Sequence, residues 1–271
     1  MGQFPFKYQE NSLKAFASEA IVPMRAEASE RAEMVTQLLW GEPVEIFETK
    51  EKWSLVRSMV DDYQGWVNTI MIKVYAEEVF KHLIDAPFTV VSEDTSCLLD
   101  SNIHPSLLPT GSFLYHFDGY KHTAKLKDEF IRIIPSRTES KKDGHSPSNA
   151  AEMFLNAPYL WGGKKAYGID CSGLVQIVFR TFGVYLPRDA SQQVKVGETL
   201  PFIDNALPGD LAFFDNQEGN IIHVGIISGK GKIIHASGKV REDSIDHQGI
   251  YNAQRKEYTH KLRIIKRVLL P

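Results

Sequence analysis

Cys171, His223 and His235 are the residues of this chain whose types and spacing suit nucleophilic catalysis. A thiolate attacks a carbonyl, a base takes its proton and returns it to the leaving amine, and a third polar group holds the base in one tautomer. Cys171 follows the glycine-rich run PYLWGGKKAYGID and opens a stretch in which Leu174, Val175, Ile177, Val178, Phe179 and Phe182 recur at helical spacing, with Gly183 as a natural stop. That spacing predicts a helix with the cysteine in its first turn. Unpaired N–H groups and a partial positive charge there favour thiolate over thiol. The bland reading is a small buried hydrophobe at a helix start.

His223 opens HVGIIS and His235 lies in KIIHAS, with Gly229-Lys230-Gly231 between them as a turn. The two runs therefore read as the arms of one hairpin, with both rings able to meet on one face. Taken singly, His223 reads as a half-buried strand residue and His235 as a strand-end surface residue. Cys171, His223 and His235 are also types that bind zinc with an open fourth position. Because no pair of them has the short spacing usual for such ligands, no metal or other cofactor is expected.

The elements that must position these residues differ along the chain. Residues 16–75 alternate short apolar runs with polar turns, as small β structures do. Val44, Ile46 and Phe47 suit one strand, and Trp53, Leu55 and Val56 the next. A tight turn at Asp61-Asp62 leads into Tyr63, Gly65, Trp66 and Val67. The run SERAEMVTQLLW contains good helix formers and by propensity alone reads as a helix; the resemblance given below implies instead an irregular loop over a small barrel. From 76 to 137, FTVVSED, SCLLDS, GSFLYHFDG, HTAKLKD and EFIRIIP read as a second β unit of similar size, with Cys97 a packing residue inside it. SRTESKKDGHSPSNA reads as a linker. Beyond it, Ser146 or Ser148 caps a short helix, and the Cys171 helix follows. The strands GDLAFFD, HVGIIS and KIIHAS come next, with a last pair after Gln248 and in KLRIIKRVLL.

Composition sets the outer limits. With 43% hydrophobic and 24% charged residues the chain is an ordinary globular protein, and a net charge of −3 gives no electrostatic case for nucleic acid or an anionic membrane. Two cysteines make no disulfide framework. The first residues carry neither the basic start nor the apolar run of a secretory leader, so a cytoplasmic protein is expected. A chain trimmed of its leader would read the same, and would be periplasmic or secreted.

Two resemblances follow. Met24-Arg25-Ala26-Glu27-Ala28-Ser29, Leu39-Trp40-Gly41-Glu42-Pro43-Val44 and Trp53 through Val67 resemble the pattern of bacterial SH3-like barrels. From about 146 onward, the chain of motifs PYLWGG, GIDCSGLVQ, LPRDASQQ, PGDLAFFD, HVGIIS and IIHASG resembles the NlpC-type cysteine peptidases, a rearranged papain-like fold that cleaves peptidoglycan peptides. The resemblance implies an α+β protein. Two small SH3-like β-barrels, at 1–75 and 76–137, would precede a papain-like peptidase domain at 138–271.

It also assigns roles. Cys171 would be the nucleophile, His223 the general base and His235 its orienter. Tyr159 would donate to the oxyanion beside the Cys171 N–H, and its bland reading is loop packing. Members with two preceding barrels resemble dipeptidyl-peptidases that release L-Ala-γ-D-Glu from murein peptides. In those, the residues matching Trp161, Asp170, Ser172, Asp189 and Ser191 line the substrate pocket. A tyrosine and a glutamate of the first barrel close its far end; Tyr63 fits the first, and Glu27, ahead of Glu30 and Glu33, the second. Asp170 as a helix cap, Trp161 as a packing ring and an Arg188–Asp189 pair are the structural alternatives.

The implied reaction is hydrolysis of the γ-D-glutamyl–diamino acid bond of free murein peptides, in peptide recycling, by a monomer that needs no cofactor, nucleic acid or membrane. Three other readings stand beside it: an endopeptidase acting on intact wall, a non-catalytic wall-binding module, and an acyltransferase on the same fold.

Overall fold

The computed structural model describes residues 4–5, 12–93, 95–99, 106–126, 129–134 and 146–269. Its contacts divide the chain into two compact units, Met1–Ser140 and Lys141–Pro271. The expected linker at 136–150 falls largely outside the described residues.

In the first unit, β1 (Leu13–Ala17), β2 (Ile21–Arg25), β3 (Met34–Leu39), β4 (Pro43–Lys50), β5 (Trp53–Ser58), β6 (Gln64–Asn68) and β7 (Ile72–Tyr75) form one antiparallel sheet in the order β3-β2-β6-β5-β4-β1-β7. Ala15, Val22, Met24, Leu38, Val44, Ile46, Val56 and Val67 alternate inward to make its core. The segment expected to be an irregular loop is so only at its start. Residues from Met34 on pair with β2, Leu39 opposite Ile21, because an extended β3 satisfies backbone groups along that strand that a loop would leave open.

The chain then forms a helix that the sequence reading placed inside a β unit: α1 (Glu77–Ile84), with Phe80 and Leu83 buried. Phe80 packs on Phe16 of β1, ring centroids 4.9 Å apart. Strands β8 (Phe88–Val90), β9 (Thr95–Leu99), β10 (Ser106–Leu108), β11 (Phe113–Tyr115), β12 (Thr123–Leu126) and β13 (Glu129–Ile133) follow. They divide into a four-stranded sheet, β10-β9-β13-β12, and the pair β11-β8. Cys97 on β9 is buried and unbridged.

The second unit starts with α2 (Pro147–Glu152), capped by Ser146, whose Oγ accepts from Asn149 N–H. A small hairpin, β14 (Lys164–Lys165) and β15 (Gly168–Ile169), leads into α3 (Cys171–Arg180), and α4 (Ala190–Gln193) is one short turn. The strands are β16 (Glu198–Leu200), β17 (Leu211–Asp215), β18 (Ile221–Gly229), β19 (Lys232–Ser237), β20 (Lys239–Ile245), β21 (Gly249–Asn252) and β22 (Glu257–Arg267), in the order β16-β22-β17-β18-β19-β20-β21. A further pairing of β21 with β22 closes strands β17 to β22 on themselves. Ala212, Phe214, Ile227, Ile233, Ile245, Ile250 and Ile265 form the core of this closed sheet. Helix α3, buried along its whole length, packs on β18 and β19. Residues 239–245, where the mostly polar run KVREDSI predicts no strand, form β20. The last strand starts at Glu257, four residues before the run KLRIIKRVLL expected to form it. Among the described residues no helix is long and apolar enough to cross a membrane.

Candidate active site

Cys171 occupies the first position of α3, as its spacing predicts. Asp170 caps the helix, its Oδ1 accepting from Gly173 N–H at 2.7 Å and its Oδ2 from Gly162 N–H at 2.8 Å. The glycines are needed for closeness: a Cβ on Gly173 would stand 2.3 Å from the carbonyl oxygen of Gly163. Arg188 clamps the same carboxylate with both terminal nitrogens, at 3.1 and 2.5 Å, and reaches Ser172 Oγ at 2.7 Å. All three side chains are buried. Asp170 is therefore the helix cap of the structural alternative, but its ion-pair partner is Arg188, which had been read as pairing with its neighbour Asp189. The N–H of Asp189 instead meets Gln192 Oε1 at 3.3 Å, in the capping box of α4.

The thiol sits against β18, where the backbone N–H of Val224 donates to it. The helix start was expected to favour thiolate. Burial and the Asp170 charge instead push the Cys171 thiol up to about 11, outweighing the Val224 N–H, Arg188 and the Ser172 N–H, which pull it down. His223, beside Val224, is buried, and desolvation together with His235 and His260 drives its imidazole well below the ordinary histidine value. Both shifts act in the direction of neutral thiol and neutral imidazole.

From His223 a line of hydrogen bonds crosses the sheet. His223 Nε2 lies 2.9 Å from His235 Nδ1, and His235 Nε2 lies 3.2 Å from Asp243 Oδ2 on β20. Registers explain the spacing. Gly225 stands opposite His235, and Ile233 opposite Asp243, so each step moves one strand over and two residues along. Gly225 has to lack a side chain, since a Cβ there would fall 2.9 Å from the Cβ of His235. Both bland readings of the histidines fail on burial, with His235 only 1% exposed.

Tyr159, half-buried, is held by its N–H to Gly238 O at 3.0 Å. Burial, then the nearby Cys171 and Asp170, pushes its phenol up to about 12, so it stays protonated as a donor. Trp161 is 61% exposed on the loop before α3, and Ser191 is exposed on α4. Glu27 and Tyr63 belong to the first unit: Glu27 is exposed between β2 and β3, and Tyr63 packs partly buried on the barrel core.

Two residues beside the histidines escaped the sequence reading. Asp243 lies on the unrecognised β20, where the alternation Arg241, Asp243, Ile245 is the signal. His260 lies just before the run taken as the last strand, and its ring stacks on His223 at 4.2 Å. Nitrogens of His223, His235 and His260 all fall within 4.8 Å of one another. A zinc ion needs them to converge on one point about 2.0–2.1 Å away. The first two point at each other instead, and the third ring lies face to face with the first, so this arrangement does not fit a metal.

A thiol at a helix start, a strand imidazole and an imidazole–carboxylate line behind it define a papain-like thiol hydrolase. Comparison with known proteins agrees. The NlpC/P60 family pattern matches residues 156–261, and that of the bacterial dipeptidyl-peptidase Sh3 domain matches residues 24–69. The gamma-D-glutamyl-L-lysine dipeptidyl-peptidase of Bacillus subtilis (strain 168) is 32% identical over 217 residues, 74% of this chain and 71% of that protein. Dipeptidyl-peptidase 6 of Lysinibacillus sphaericus is 27% identical over 266 residues, 87% of this chain and 93% of the relative. An NlpC/P60 family protein from Bacillus cereus ATCC 10987 shares the fold, with a TM-score of 0.75 at 20% identity over 95% of this chain and 100% of that one. The chain belongs to the NlpC/P60 family and is a cysteine peptidase.

Proposed function

We propose that this peptidase hydrolyses the bond between γ-D-glutamate and a diamino acid in free murein peptides, releasing L-Ala-γ-D-Glu as part of peptide recycling. The observation that carries the reading is the union in one chain of a thiol–imidazole site with a dipeptidyl-peptidase Sh3 region, in a sequence 32% identical to the gamma-D-glutamyl-L-lysine dipeptidyl-peptidase of Bacillus subtilis (strain 168).

In this reaction Cys171 Sγ attacks the γ-carbonyl carbon while its proton passes to His223 Nδ1, the ring nitrogen not engaged by His235. The Cys171 N–H, at a helix position with no intrahelical partner, and the Tyr159 hydroxyl donate to the oxyanion. Collapse breaks the C–N bond, and His223 gives its proton to the departing amine. Water then attacks the thioester, loses a proton to His223 and restores the thiol. A neutral resting pair suits this order, since the imidazole must be free to accept.

The test is mass spectrometry of products from L-Ala-γ-D-Glu-L-Lys, its N-acetylated form and intact sacculi. The proposal expects L-Ala-γ-D-Glu and lysine from the first and slow turnover of the other two. Comparable cleavage of free and acetylated peptides would make the protein a wall endopeptidase. Binding to sacculi without turnover of any substrate would make it a wall-binding module.

A further inference from the structure

We infer that Asp243 is a positioning residue for the peptidase reaction, setting through His235 the tautomer that makes His223 a base. The inference rests on the assignment of Cys171 and His223 as nucleophile and base.

Each nitrogen in the line can carry a proton or receive one, and one end of the line decides the rest. Asp243 is buried and pairs with Arg241, whose Nη2 donates to Oδ1 at 3.0 Å and whose Nε lies 2.8 Å from Oδ2 in an ion pair without hydrogen-bond alignment. Burial pulls the Asp243 carboxyl upward, but His235 and Arg241 outweigh it and hold the group below its usual value, so it is an acceptor only. His235 Nε2 must then carry a hydrogen, which leaves His235 Nδ1 as a lone pair. That lone pair requires the hydrogen of neutral His223 on Nε2. His223 Nδ1 is left bare, the state that removes a thiol proton. With no carboxylate at the end, His235 could take the other tautomer, and His223 would present an N–H to the thiol.

The line also carries charge. When His223 becomes imidazolium, the Asp243 carboxylate two hydrogen bonds away stabilises it without taking the proton. The charged and titratable groups facing this line are Arg241 beside Asp243, and His260, which stacks on His223.

The experiment combines nitrogen-15 spectra of the imidazoles with kinetics of Asp243→Asn on L-Ala-γ-D-Glu-L-Lys. In the unaltered protein both His223 and His235 are expected as Nε2–H tautomers at neutral pH. Asp243→Asn, whose amide can donate as well as accept, is expected to mix the His235 tautomers. It should lower kcat by roughly 10²-fold, less than the ~10⁴-fold known for a carboxylate in direct contact with the base, with KM changed less than threefold. A His235 Nδ1–H tautomer in the unaltered protein would overturn the inference, and that spectrum decides even if the variant folds poorly. So would a folded Asp243→Asn with kcat within threefold of normal while Cys171→Ala is inactive. An active Cys171→Ala would instead remove the assignment beneath it.

Discussion

The imidazole of His260 lies over that of His223, ring centroids 4.2 Å and planes 26° apart. Two stacked bases cannot both hold protons cheaply, and both are pulled below the ordinary histidine value. His260 falls to about 4, first through burial and then through His235, with Asp243 opposing. Groups with depressed folded values take up protons more readily when unfolded. Their stabilisation is therefore complete above about 6.5 and lost as pH falls towards 4. Stability measured by urea unfolding of the unaltered protein should drop across that window. His260→Phe keeps an aromatic ring against His223 and Phe214 but cannot protonate. The drop between pH 6.5 and 4.5 should be smaller in this variant, and identical acid profiles would show that His260 takes no part.

Cys171 is expected to label with iodoacetamide at a rate that keeps rising from pH 7 to 10, because its thiol is pushed up to about 11. A plateau by pH 7 would mean a preformed thiolate, against the neutral pair described above. Cys97, also near 11 but with no exposure at all, should label far more slowly until the fold opens. Cys171→Ala should abolish turnover and leave the circular dichroism spectrum unchanged.

Tyr159→Phe removes the hydroxyl proposed to donate to the oxyanion and keeps the ring. Such losses cost about 10²- to 10³-fold in kcat. Steady-state kinetics should show that fall with KM little changed. A kcat within threefold of normal would reduce Tyr159 to loop packing.

Arg188→Met breaks the ion pair with Asp170 and strands a buried carboxylate at the start of α3. Removing one partner of such a pair costs about 3–5 kcal/mol. The Gly162 and Gly173 N–H groups still reach Asp170, so the lower end is expected in denaturant unfolding of the peptidase unit. Arg188→Lys retains the charge without the fork and should fall between the two. No change in midpoint for Arg188→Met would show the clamp to be dispensable.

What could be read from the sequence were the features set by local physics. The apolar spacing after Gly173 determined α3 and put Cys171 at its first turn, and the Gly229-Lys230-Gly231 turn brought His223 and His235 onto neighbouring strands. Alternation in the Val44 and Trp53 runs gave β4 and β5, and their motifs carried the barrel resemblance. Other features were settled only in three dimensions, because they depend on partners far along the chain. KVREDSI is too polar to announce a strand, yet β19 offers it a full edge of backbone groups, and pairing there delivers Asp243 to His235. His260 reaches His223 only because β22 joins β17 and β21 to close the sheet. The thiol's protonation also turned on packing. A helix start favours thiolate by partial charge, but close burial beside the Asp170 carboxylate costs the anion more than those dipoles return. Sequence placed Cys171 and His223 on their elements; the closed sheet decided what stands behind and above them.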